Sequence, residues 1–206
     1  MLNRYQSTHA NQIHQLSVSV SKHYYASRDG LLKFQKKAFD VSLANAKKSD
    51  KDHLVIYSLR DHFSGLFYIE LAFLSTRVPV QAFLARAWGE KTDADVVLYG
   101  LPDFLMVPKT VSMAFPGIDE RVAAQNIELL PVTSGFQSGG LMAVKAVENY
   151  LVFNINTPVN LIGEAITLVC RANAKSRAYT TAPSKSEIWQ RSVSEIFLPT
   201  VDFFNE

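Results

Sequence analysis

Residues 53–74 read HLVIYSLRDHFSGLFYIELAFL. Two apolar runs rich in β-branched and aromatic residues flank a short polar stretch that ends in Gly65. That is the pattern of an antiparallel hairpin. Asp61 and Ser64 fall in the turn, where short oxygen-bearing side chains bond to their own backbone. Upstream, LLKFQKKAFDVSLA (31–44) alternates around Phe34, Ala38, Val41 and Leu43, and so predicts a strand ending near Phe39-Asp40. The charged turn AKKSDKD joins it to the hairpin. Farther upstream, Ile13, Leu16 and Val20 fit one face of an amphipathic helix over 13–25.

Downstream, VPVQAFLARAWGE places Val80, Phe83, Leu84 and Ala87 at helical spacing and closes on Gly89. FLMV (104–107) is a fourth strand, a short helix follows at roughly 118–125, and IELLPV (127–132) is a fifth strand. The Gly- and Ser-rich stretch TSGFQSGG (133–140) is a loop. LMAVKAVENYLVFNI (141–155) reads as a helix carrying Glu148, IGEAITLVCRANAKS (162–176) as another, and TTAPSKSEIW begins a third helical segment. Strands dominate the front of the chain and helices the back. The fold class is therefore α/β: a five-stranded mixed sheet with helices on both faces. The organisation expected is an extension over 1–30, a core domain over 31–190 and an apolar tail over 191–206.

The chain has 206 residues, 48% of them hydrophobic and 19% charged, which is a globular composition. A single cysteine, Cys170, excludes an intrachain disulfide framework and a cysteine-based zinc site. It lies in an apolar run and reads as a small buried hydrophobe. The histidines His9, His14, His23 and His53 lack ligand spacing and read as solvated. No apolar run approaches the 18 or so residues of a membrane span, and the first residues lack a signal core, so a cytoplasmic protein without membrane contact is expected. The net charge of +2 hides an asymmetry. Residues 1–60 carry ten Lys and Arg against four acids, which suggests an anionic partner, nucleic acid first, although charge alone favours a merely solvated surface.

The order of elements, with the Asp-x-x-Ser-Gly turn, GLPDFLMV entering the fourth strand, the Gly-rich loop before a helix bearing Val147-Glu148, and the later Ala-Pro-x-x-x-x-Ile-Trp, resembles the retroviral-type integrase and DDE transposase catalytic core, a ribonuclease-H-like fold. The resemblance covers roughly Leu31 to Trp189. It implies two divalent metal ions held by three carboxylates, one on the first strand, one just after the fourth strand and one on the helix after the loop. The first maps to Asp40 and the third to Glu148. The second position is Pro108, followed by Lys109, and proline offers no side-chain ligand. Asp40 and Glu148 are then remnant catalytic and metal-binding positions, and Lys109 and Lys145 are candidate DNA contacts. Lys145 also has a plain alternative, a surface pair with Glu148 at i, i+3.

The expectation is a degenerate integrase or transposase core-like protein of a mobile element, acting by DNA or protein binding, with no cofactor. The alternative is an active enzyme with altered ligation using Mg²⁺ or Mn²⁺. The partners implied are DNA, other transposition proteins and a second copy of the chain.

Overall fold

The computed structural model describes residues 6–46, 49–90, 98–132 and 140–162. Its longest element is β1, Ile13–Ala26, which lies at the centre of the sheet. The helix expected there is therefore corrected to a strand. Ile13, Leu16 and Val20 do sit at helical spacing, but Leu16, Val18 and Val20 also alternate with Ser17, Ser19 and Ser21. Period two matches a pleated strand with one apolar face. The strand expected over 31–44 shrinks to β2, Leu32–Phe34, which pairs antiparallel with the outer end of β1. Asp40 lies beyond it, exposed, in the connection to β3.

The hairpin is β3, Asp52–Asp61, and β4, Phe67–Phe73. Gly65 takes the left-handed conformation (φ 72°) that its turn requires. The chain continues through α1 (Val80–Trp88), β5 (Phe104–Val107), α2 (Lys109–Ala114), α3 (Ile118–Ala123), β6 (Glu128–Pro131) and α4 (Gly140–Leu151). The strand order is β4-β3-β1-β5-β6, with β2 attached to β1. β3 and β4 run antiparallel, β1 runs antiparallel to β3, and β5 and β6 are parallel to β1. This is a mixed sheet, antiparallel on one side of β1 and parallel on the other. The boundary expected at residue 30 falls between β1 and β2, two strands that pair with each other.

Helices cover both faces. On one, Val80, Phe83 and Leu84 of α1, Val111 of α2 and Ile118 and Val122 of α3 pack on Leu16, Val18, Val55, Tyr57, Leu59 and Leu105. On the other, Ala143, Val147 and Leu151 of α4 pack on Leu54, Ile56 and Ile69. Each fully buried aliphatic or aromatic side chain contributes about 1.5–3 kcal/mol. A two-pronged ion pair ties α1 to β4: Arg86 Nε and Nη2 donate to the Glu70 carboxylate at 2.8 and 2.7 Å. The flexible loop and the two later helices expected from the sequence, with Cys170 and the apolar tail, lie outside the described residues.

Candidate functional site

Alternation along the strands decides what faces α4. Because Leu16 and Val18 turn to the α1–α3 side, Gln15, Ser17 and Ser19 turn the other way. On β3, Tyr57 and Leu59 point to the same side as Leu16, so Ser58 and Arg60 join the α4 face. The register pairs Ser17 with Ser58 and Gln15 with Arg60. Arg60 Nη1 donates to Gln15 Oε1 at 3.2 Å, and Gln15 Nε2 lies 3.7 Å from Met106 Sδ on β5. The result is a polar strip at the middle of the sheet. Gln15, Ser17 and Ser58 are all buried, and the Ser58 hydroxyl has no hydrogen-bond partner.

Pro108 stands at the end of this strip. It follows β5 and serves as the residue before α2, with extended backbone (φ −63°, ψ 139°). Its carbonyl accepts from Val111 N at 2.8 Å and Ser112 N at 3.2 Å. The parallel register pairs Gln15 with Met106, and two residues further along it Ser17 comes level with Pro108. Lys109, the next residue, is exposed.

Glu148 meets the sheet elsewhere. Its Oε1 accepts from Ser21 Oγ at 3.3 Å, and its backbone carbonyl accepts from the Tyr24 hydroxyl at 3.2 Å. Ser21 begins a register shift in β1, between Val20 and Tyr25. Its Oγ also accepts from the backbone N–H groups of His23 and Tyr24. Burial, and then the nearby Glu148 charge, raise the Tyr24 hydroxyl above its ordinary pKa. Ser21 is four residues past Ser17, about 13 Å along an extended strand. The surface pair with Lys145 offered as the plain reading is not among the ion pairs of the described residues, and Glu148 turns inward to Ser21 instead. Lys145 is exposed.

Asp40 accepts from the Asn45 side chain through its backbone carbonyl at 3.3 Å, and no strand runs through it. Among the described residues, no three His, Cys, Asp or Glu side chains converge to hold a metal ion. The donors level with Pro108 are serine hydroxyls and a glutamine amide. Hard divalent ions in a two-metal centre need carboxylates, so this donor set does not fit one.

Asp61 does what the turn needs. Its carboxylate accepts from Ser64 N at 2.7 Å, from Ser64 Oγ at 2.5 Å and from Asn11 N at 3.0 Å. Two histidines expected in solvent are buried: His14 and His53 are both 0% exposed. Trp88 Nε1–H donates to His14 Nδ1 at 3.1 Å, which leaves His14 Nε2–H to donate to Asn11 Oδ1 at 2.9 Å. That chain of bonds fixes a neutral imidazole. The period-two pattern of β1, which puts His14 in line with Leu16 and Val18, is the signal that would have placed it inside.

The sequence matches no protein-family model and no curated protein sequence. Among solved structures the chain is similar to the HTLV-2 integrase catalytic core domain in complex with magnesium. Against its trimeric form the TM-score is 0.45 at 15% identity, and against its dimeric form 0.43 at 16%, each covering 80% of this chain and 86% of that one. It is also similar to a chain of the simian T-cell lymphotropic virus intasome in complex with PP2A regulatory subunit B56 gamma. There the TM-score is 0.42 at 13% identity, over 80% of this chain and 49% of that one.

Proposed function

We propose that this chain is a degenerate integrase or transposase core-like protein of a mobile element, which acts by binding DNA or a partner protein and not by phosphoryl transfer. One observation carries the reading: the residues level with one another where such a core concentrates its acids carry no carboxylate. Ser17 takes the place on the central strand. Pro108 takes the place after the parallel strand. On α4 the helix meets the bulge of β1 through Glu148, so the level of Ser17 and Pro108 lies closer to its N-terminus, where Ala143 is the buried residue facing the sheet. Asp40 and Glu148 then hold no metal pair: one is exposed in a connection and the other is bonded to Ser21.

The electrostatics run the same way. Two divalent ions less than about 4 Å apart repel strongly, and only convergent carboxylates make their joint binding favourable. Hydroxyls and a proline do not, and Lys109 adds a cation beside them. Lys109 and Lys145 are exposed and remain free of any metal duty, as candidate contacts to DNA phosphates. The apolar residues exposed at the end of α4 suit a second copy of the chain.

The test is a labelled-duplex assay of nicking and strand transfer with Mg²⁺ and with Mn²⁺. No product is expected, and none with Asp40→Asn or Glu148→Gln. Metal-dependent cleavage that disappears in either variant would establish the active enzyme with altered ligation in place of the binder.

A further inference from the structure

We infer that the ribbon formed by the outer end of β1 and by β2 is a binding surface for single-stranded nucleic acid, in which an unpaired base stacks on Phe34. This deepens the reading of the chain as a DNA binder and rests on it. Phe34 pairs with Tyr24 across the ribbon and is 43% exposed, large for an aromatic in a strand. Its ring lies on that of His23, with centroids 5.7 Å apart and planes at 25°, and packs at a tilt on Tyr24 at 5.1 Å. His23 is held in place: Nδ1–H donates to the Gln35 carbonyl at 3.0 Å, and Gln35 N–H donates back to the His23 carbonyl at 2.9 Å. The exposed ring therefore stands on a fixed support, as a stacking platform requires.

Exposed cations neighbour it on β1 and just past the end of β2. Phe39 N–H donates to the Lys22 carbonyl. Between that anchor and the one at Gln35, Lys36, Lys37 and Ala38 loop outward, all exposed, and Lys22 is exposed beside them. Gln35 Nε2 donates to the Lys37 carbonyl at 3.1 Å and pins the loop. Residues 22–37 hold five Lys and Arg against one acid, Asp29. The opposing charges nearby are Asp40, exposed beyond the loop, and Glu148, turned in to Ser21. Lys33 is directed away, to Asn156 Oδ1 at 2.8 Å. One flat aromatic amid flexible cations matches a base and its flanking phosphates. Duplex bases are stacked inside the helix and offer no face to such a ring. A single supported ring also lacks the broad apolar face by which a helix or strand lies in a lipid surface.

The experiment measures fluorescence anisotropy of the full chain with a labelled thymidine single strand, a duplex of equal length, and vesicles of mixed neutral and anionic lipid. The single strand is expected to bind in preference to the other two. Phe34→Ala is expected to weaken that binding roughly tenfold, the loss of one stacked base, while Phe34→Trp retains it. Lys36→Glu with Lys37→Glu lowers the slope of log affinity against log salt by about 1.4, two single-strand phosphate contacts. Thermal melts of each variant separate a lost contact from a lost fold, and retention by Phe34→Trp keeps the test decisive if Phe34→Ala unfolds. Preference for duplex or for vesicles overturns the inference. Single-strand binding that none of these substitutions changes overturns this surface and leaves the DNA-binding reading standing. No binding of any nucleic acid overturns both.

Discussion

Asp61 is 2% exposed and accepts three hydrogen bonds that close the β3–β4 turn and tie it to the segment before β1. Removing the carboxylate leaves Ser64 N and Asn11 N without their acceptor. Asp61→Ala is therefore expected to destabilise the protein by about 2 kcal/mol or more in a urea melt, since a buried donor left unpaired costs about 1–3 kcal/mol. His53 makes a pH-dependent contribution. Its ring packs edge-on to Phe39 at 4.6 Å, and Nε2 pairs with Ser49 Oγ at 2.8 Å. Burial lowers its pKa below the ordinary 6.5, against the pull of a backbone bond at Ser21 and of Asp50 and Asp52, and with Lys51 adding to the fall. His62 is lowered too, by burial and then by Arg60. The unfolded chain thus takes up these protons first, and their stabilising share is complete above pH 6.5 and is lost as pH falls through the lowered folded values. The urea midpoint is expected to drop between pH 7.5 and pH 5.5, and His53→Phe to remove part of that drop. A flat profile would contradict the burial argument.

α4 docks through Ala143, Val147 and Leu151, one residue per turn and each 0% exposed. That packing buries Ala143 fully, so a charge placed there would be taken out of water. Ala143→Glu is expected to destabilise by about 3 kcal/mol or more in guanidinium, an unpaired buried carboxylate being among the costliest changes a core can take. If the variant instead folds normally and gains stability with Mg²⁺, the contact of α4 with the sheet still accepts a metal and the degenerate reading weakens. The same helix was legible in the sequence, as were the hairpin, α1, β5, α3 and β6, because each shows a single clear period or a turn residue at its end. β1 was not, because Ile13, Leu16 and Val20 satisfy a helical spacing while the serines between them carry the strand period. With the first strand taken to end at Asp40, which lies in a connection, the polar strip on β1 went unseen. The Glu148–Ser21 bond had no signal at all, since a strand bulge is a matter of register and not of composition.

Across the whole molecule, the described surface carries its largest apolar exposure at and beyond the end of α4, where Phe153 is 87% exposed and Val152, Ile155 and Leu161 are exposed with it. A ring so open to water favours contact with another molecule. Light scattering of the purified chain is expected to give a dimer or larger assembly, and Phe153→Lys to shift it towards monomer; a strict monomer at high concentration would count against self-association. Among the described residues no helix is long and apolar enough to cross a membrane. The position of β1 also carries a consequence in time. Among the described strands it is made first and lies in the middle of the sheet, so neither of its edges is closed when it emerges. His14 meets its parallel partner Leu105 only 91 residues later, roughly 5–20 s at ribosomal rates of about 5–20 residues per second. Through that interval the strand's serine-lined face stays wettable while its apolar face waits for β3 and α1. Synthesis slowed between β1 and β5 should therefore raise the share of chain lost to aggregation.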